Sequence, residues 1–225
     1  MPAPARHCAF AVLRRVFEDG AWADRALRGE AERLGLDARD LALATRLAYG
    51  AVQRRATLDH VIETLSGRSL DRLEPAVIAA LRLGIFQLVY LDRVPDHAAV
   101  GESVELAKAE SRGGAGLVNA VLRRAAGEAE ALVGALPDGT PEEAALRHSH
   151  PEWIARLWWD TFGAGTARVL MAADNQPAEA ALRANTLRIT AADLAQRLPV
   201  ATEPTGEDGL ILDEPFDAQI GRAHV

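Results

Sequence analysis

The side chains of this chain best suited to contacting a ligand are arginines, and several come in pairs: Arg14–Arg15, Arg54–Arg55 and Arg123–Arg124. A guanidinium fork meets a phosphate through two parallel hydrogen bonds, so paired arginines on an exposed helix suit a polyanion. Arg6, His7, Arg14 and Arg15 form a short basic segment with few acids before Glu18. Arg6, Arg14 and Arg15 are therefore the leading phosphate contacts, with Lys108, Arg123 and Arg124 behind them. For any one pair the alternative is a solvated helix face. Other chemistry has less support. Cys8 is the single cysteine, which leaves no internal disulfide and no cysteine-rich zinc site. It has no evident base beside it and reads as a small core residue. His148 and His150 flank Ser149. A metal would need further ligands at suitable spacing, and none stands out. Nothing resembles a nucleophile elbow, so this stretch reads as the entry to a helix at Pro151. Trp153, Trp158 and Trp159 could stack on bases, but at helical spacing they are better read as fastening their helix to its neighbours.

The run "RGGAGLVNAVLRRA", Arg112 to Ala125, raises the question of a phosphate-binding loop. No Lys-Ser or Lys-Thr follows the glycines, and Asn119 stands where a third dinucleotide-type glycine belongs. A helical segment also precedes the run where a strand is needed. The expectation is a glycine-assisted turn between two antiparallel helices. The free N–H groups that open such a helix could still meet an RNA phosphate.

These residues need elements to hold them, and the pattern is helical. From Arg6 to about Val133 apolar residues recur with a period near 3.6. Ala9, Val12, Leu13, Val16 and Phe17 make one stripe, with Arg6, Arg14 and Arg15 placed elsewhere on the wheel. A helix capped at Asp37 presents Leu41, Ala44, Leu47, Ala48 and Val52 to the core. "TLDHVIETLSG" ends at Gly67, and "EPAVIAALRLGIFQLVYL" is apolar on most sides and reads as the central buried helix. Six or so such helices make a bundle. Gly134 to Glu143 is linker-like. Two helical segments, "PEWIARLWWDTFG" and "GTARVLMAADNQP", follow. Then "EAALRANTLRIT" and "DGLILDE" suggest strands around a short helix "AADLAQRL", too few to close a sheet.

Net charge is −7 over 225 residues, but it is uneven. Residues 1–127 hold 18 Arg and Lys against 16 Asp and Glu, a balance of +2; residues 128–225 hold 7 against 16, a balance of −9. The first part can therefore face a polyanion although the whole is acidic. No apolar run approaches a membrane span, and the N-terminus lacks an uninterrupted apolar core for a secretory signal. A cytoplasmic protein with no membrane or metal partner is expected, and no homo-oligomer is predicted.

Three segments carry a family resemblance. "LAYGAVQRRATLDHVI", "VPDHAAVGESVELAKAE" and "GLVNAVLRR", in that order, resemble the NusB-like RNA-binding domain over about residues 5–130. Gly101 departs from the polar residue expected there. Beyond it, "HSHPEWIARLWWDTFG" and "VLMAADNQPAEAALRANTLRIT" resemble the join in RsmB-type (Fmu/Sun) ribosomal RNA cytosine-5 methyltransferases. In that family a NusB-like domain precedes a small RNA-recognition-like domain and then a Rossmann-like catalytic domain. The resemblance implies a cysteine thiolate attacking cytosine C6, a second cysteine aiding release, and S-adenosylmethionine as methyl donor. Cys8 matches neither thiol, so no catalytic residue, cofactor-binding residue or metal ligand is expected in this chain. S-adenosylmethionine belongs to the full-length parent.

The expectation is a mainly α protein. A NusB-like helical bundle spans residues 1–133, a linker with a helical pair spans 134–178, and an incomplete α+β domain spans 179–225. Ile220 to Val225 do not continue the family pattern, which suggests a truncated or frame-shifted gene model. The expected role is RNA binding, with ribosomal RNA as partner, as the substrate-holding part of a small-subunit rRNA methyltransferase. The chain alone is predicted inactive in methyl transfer. Two rival readings are a NusB-type transcription antitermination factor and a helical protein-interaction module. Asn119 and Glu105 are read as structural hydrogen-bonding residues of the motif.

Overall fold

The helical pattern becomes ten α-helices and three short strands in a computed structural model that describes residues 3–176 and 179–213. Helix α1 (Pro4–Glu18) starts on a proline, which costs nothing where the first N–H is unpaired anyway. It buries Ala5, Cys8, Ala9, Phe10, Val12 and Leu13. Helix α2 (Ala23–Leu34) ends at Gly35 in the left-handed conformation, φ +61°. Helix α3 (Ala38–Gln53) is capped as expected: Asp37 Oδ1 accepts from the Asp40 N–H at 2.7 Å. Its buried face runs through Ala44, Leu47, Ala48 and Ala51. Leu41, placed on that face from the sequence, is instead 40% exposed. Helix α4 (Arg55–Ser66) stops at Gly67, φ +64°, and a single 3-10 turn covers Leu70–Arg72.

Helix α5 (Pro75–Tyr90) is the axis of the bundle, buried continuously from Ala79 to Gln87. It packs on α1, α3 and α4, and on α6 (Asp96–Glu110) and α7 (Gly114–Gly134). The packing leaves no room for added carbons. A Cβ on Gly84 would stand 2.6 Å from a Leu122 methyl. Gly114, from the glycine run, would meet Val77 at 2.2 Å. That run is a turn into α7, close-packed at Gly114 but open at Gly113 and Gly116, with Ser111 Oγ accepting from the Gly114 N–H at 2.8 Å.

Helix α8 (Pro141–His148), which the sequence reading passed over, opens on a capping box between Thr140 and Glu143. Helix α9 (Glu152–Asp174) follows Pro151 and is interrupted at Gly163, φ +79° and ψ 161°, where the sequence suggested two segments. The two helices share a small core of Ala144, Ala145, Ala155, Ala167 and Met171, with Trp158 and Trp159 packed on it. Trp153 does not share in that packing and is 67% exposed. Helix α8 is fastened to the start of α4. The Ala56 N–H donates to Ser149 Oγ at 2.8 Å, and Thr57 Oγ1 donates to the Leu146 carbonyl at 2.8 Å.

The chain divides into two compact units between Asn175 and Gln176. In the second, β1 (Ala181–Arg183), β2 (Thr202–Thr205) and β3 (Gly209–Leu212) form an antiparallel sheet in the order β1-β3-β2. Helix α10 (Ala191–Arg197) packs on β3. Strand β1 is shorter than the alternation suggested, because the chain turns at Asn185, whose carbonyl accepts from the Arg188 N–H at 2.8 Å. Pro204 sits on the edge strand β2, where a missing N–H breaks no central ladder. Ile220–Val225 lie outside the described residues. No described helix is long and apolar enough to cross a membrane.

Candidate nucleic-acid interface

Arg6 is not a surface residue, which corrects its place among the expected phosphate contacts. It lies seven residues before Leu13, so two helical turns return it to the buried stripe, and it is 8% exposed. Its Nε donates to Gln87 Oε1 at 2.6 Å, and its Nη1 reaches Glu102 Oε1 at 3.1 Å. Glu102 Oε2 accepts from the Ala3 N–H at 2.8 Å, and Gln87 Nε2 donates to the Leu83 carbonyl at 2.9 Å. The network joins α1, α5 and α6. A guanidinium enclosed in this way, with its Nε and Nη1 bonded inside the protein, is out of reach of a phosphate.

Arg14 and Arg15 do emerge from α1. They line an open groove of about 370 Å³, with His7, Glu18, Glu30 and Arg33 among its other walls. Arg14 makes a forked pair with Glu18 and reaches Glu110 at 3.2 Å. The Glu18 hydrogen bond holds its guanidinium above the ordinary value. Arg15 lies 3.5 Å from Glu30, which Arg33 also contacts at 2.8 Å. Glu30 is largely enclosed, with 12% of its side chain exposed, and keeps Arg33 when Arg15 turns outward. The Arg14 pairs lie at the surface, where an ion pair is worth only about 0–1 kcal/mol. An incoming phosphate can replace a carboxylate there at little cost.

The remaining candidates sit apart from the α1 pair. Lys108 is exposed on α6 and 3.6 Å from Glu105. Arg123 is exposed on α7 and, among the described residues, bonded only to Asn119 Oδ1, at 3.2 Å, which makes Asn119 a hydrogen-bonding residue. Arg124 is partly committed to the fold. Its Nη1 donates to the Leu65 carbonyl at 2.7 Å, clipping α7 to α4, while its Nη2 pairs with Glu128 at 3.1 Å. Helix α1 packs on α2, α3, α5 and α6, whereas α7 packs on α4, α5 and α6. The two arginine pairs therefore leave different flanks of α5.

Cys8 is fully buried, and its thiol is pushed up to about 11 by that burial and by Glu30, with Arg33 opposing. A thiol in that state is no nucleophile. Ser149 Oγ is held by the Ala56 N–H, and His150 lies between the His148 carbonyl at 2.9 Å and Asp174 at 3.1 Å. Among the described residues no three His, Cys, Asp or Glu side chains group to hold a metal. One polar cluster escaped the sequence reading. Arg54, from the second of the arginine pairs, lies over the Tyr90 ring, 4.6 Å from its centroid. The Tyr90 hydroxyl and His148 Nε2 are both buried without a hydrogen-bond partner among the described residues. Burial, then Arg147 and His150, push the His148 imidazole below its usual range.

Comparison with known proteins places these parts. A model described as the NusB family matches residues 3–127, and one described as a methyltransferase RsmF/B-like, ferredoxin-like domain matches residues 150–219. Putative methyltransferase Rv1407 of Mycobacterium tuberculosis is 39% identical over 201 residues, covering 86% of this chain and 44% of the relative. The probable ribosomal RNA small subunit methyltransferase B of Synechocystis is 34% identical over 195 residues, with the same coverage. The chain thus spans less than half the length of these relatives. Among solved structures, antitermination factors NusB and NusE in complex with dsRNA match 55% of this chain and 93% of theirs, at TM-score 0.51 and 27% identity. PH0851 shares the fold over 99% of this chain and 52% of its own, at TM-score 0.67 and 15% identity.

Proposed function

The chain belongs to the NusB family through residues 3–127, and from that premise we propose that it holds RNA as the substrate-binding part of a small-subunit ribosomal RNA methyltransferase. The cytosine-5 specificity comes from the resemblance of the segments after His148 to that enzyme family. What supports the reading is the succession of parts: a NusB match over residues 3–127, then a RsmF/B-like ferredoxin-like match over residues 150–219 that takes in α9. Relatives that align with 86% of this chain carry methyltransferase names.

The observation that carries RNA binding is the state of Arg14 and Arg15. They are neighbours on one helix, at the wall of an open groove; Arg14 pairs with surface carboxylates, and Arg15 with Glu30, which Arg33 also holds. Phosphates take the place of Glu18, Glu30 and Glu110, the displaced counterions enter solvent, and the bundle fixes the register of a folded RNA. The described residues do not fit S-adenosylmethionine. Gly114, at the start of α7, is closed off by Val77 and Ser111, a helix and not a strand precedes the glycine run, and the sole thiol is buried. No step of methyl transfer is therefore assigned to them. The NusB-type antitermination reading draws on the likeness to the NusB–NusE complex. The helical pair seated on α4 favours the methyltransferase reading.

A salt series tests the reading. Against a small-subunit ribosomal RNA fragment, the double variant Arg14→Ala/Arg15→Ala should lower the slope of log K against log salt by about 1.4–1.8. Fluorescence anisotropy measures it. An unchanged affinity and slope would remove α1 as the RNA-binding face.

A further inference from the structure

Helix α2 and the outer side of α3 carry arginines that no carboxylate satisfies. Trp22, the residue that precedes α2, is 73% exposed. Arg25 and Arg28 are exposed on the face of α2 opposite the buried Ala26, Leu27 and Ala31. Arg39 and Arg46, seven residues apart, share the exposed face of α3, opposite Ala44, Leu47, Ala48 and Ala51. None of these four arginines has an ion-pair or hydrogen-bond partner for its guanidinium among the described residues. That separates them from Arg14, Arg15 and Arg33, each of which is paired.

The two faces adjoin. Helices α2 and α3 pack on one another. Tyr49 of α3 sits beside α2, where Asp24 raises its phenol and Arg28 opposes that shift, burial being the larger cause. On its other side α2 adjoins the α1 groove. Arg15 Nη1 lies over Gly29, 3.6 Å from where a Cβ would stand. Asp24 and Glu32 are carboxylates on the outer face of α2, and neither pairs with Arg25 or Arg28.

We propose that this α2–α3 face is a second nucleic-acid site that takes an unpaired RNA strand. Trp22 stacks on a base while Arg25, Arg28 and Arg46 hold its phosphates, continuing the α1 groove past Arg15. An indole in the open can reach the π-face of a base only where the base is unpaired; a duplex offers edges and phosphates alone. Trp22 and Arg28 are about 9 Å apart along the helix axis, so stacking and phosphate contacts fall on one short stretch of strand. Unpaired guanidinium groups need no carboxylate displaced before they bind.

The inference rests on the RNA-holding reading, and the experiment separates the two. The whole chain is titrated with a twelve-nucleotide oligouridylate and, in parallel, with the ribosomal fragment, by anisotropy over a range of salt. Trp22→Ala should weaken oligouridylate binding roughly tenfold, and Trp22→Phe should restore most of it. Arg25→Ala/Arg28→Ala should reduce the salt slope by about 1.4. If wild type binds the ribosomal fragment but Trp22→Ala and the arginine double variant bind oligouridylate like wild type, this site is wrong and the RNA-holding reading stands. Wild type that binds neither RNA ends both. A fall in thermal midpoint for Trp22→Ala would make the indole a packing residue and overturn the stacking role, as would a Phe variant no better than Ala.

Discussion

Two arginines eight residues apart on α1 show how completely surroundings decide a side chain's role. Arg6 is enclosed by Gln87 and Glu102, and Arg14 lies against Glu18 and Glu110 at the surface. Removing Arg6 strands the Gln87 oxygen and leaves Glu102 without its cation. Arg6→Ala should therefore cost roughly 2–3 kcal/mol in urea melts. Arg14→Ala should cost less than about 1 kcal/mol in the same assay. Equal losses would mean that the two pairs are equally placed. The seven-residue spacing to Leu13 could have warned that Arg6 is internal. What hid it was residue type, because a guanidinium is rarely interior unless its partners are known. Gln87 and Glu102 lie 81 and 96 residues away in sequence.

At the scale of elements, glycine acts in two physically different ways. At Gly84 the position is crowded by Leu122. At Gly163 a Cβ would meet nothing within 4 Å, yet φ is +79°. Gly163→Ala should then lose about 1–3 kcal/mol by backbone strain alone, read as a lower thermal midpoint with an unchanged helical signal. An unaltered midpoint would show that α9 runs straight through that residue. Strong local cues were legible: the Asp37 cap, the Gly67 stop, the apolar α5 and the break after Phe162. Weak ones were not. Helix α2 buries only Ala26, Leu27 and Ala31 and is otherwise charged, so its apolar stripe is too thin to announce a helix. Strand β2 holds a proline, which argues against strand in isolation. The Arg54–Tyr90–His148 cluster joins residues from α5, α8 and the α3–α4 junction, so only the packed chain assembles it.

For the molecule as a whole, the acidic balance is a poor guide, since Arg25, Arg28, Arg39 and Arg46, without acid partners among the described residues, stand on two adjoining helices of one unit. That unit also holds nearly all of the buried apolar side chains. Among the described residues of the second unit only Ala184, Leu210 and Leu212 are buried. Fixing one backbone residue costs about 1–2 kcal/mol at room temperature, a sum that three side chains do little to offset. The sheet is thus marginal by itself, and in deuterated water its amides should be replaced long before those of α5, which should be the last to exchange. Slow exchange in β3, matching α5, would reveal a stabilising contact beyond the three buried side chains of this unit.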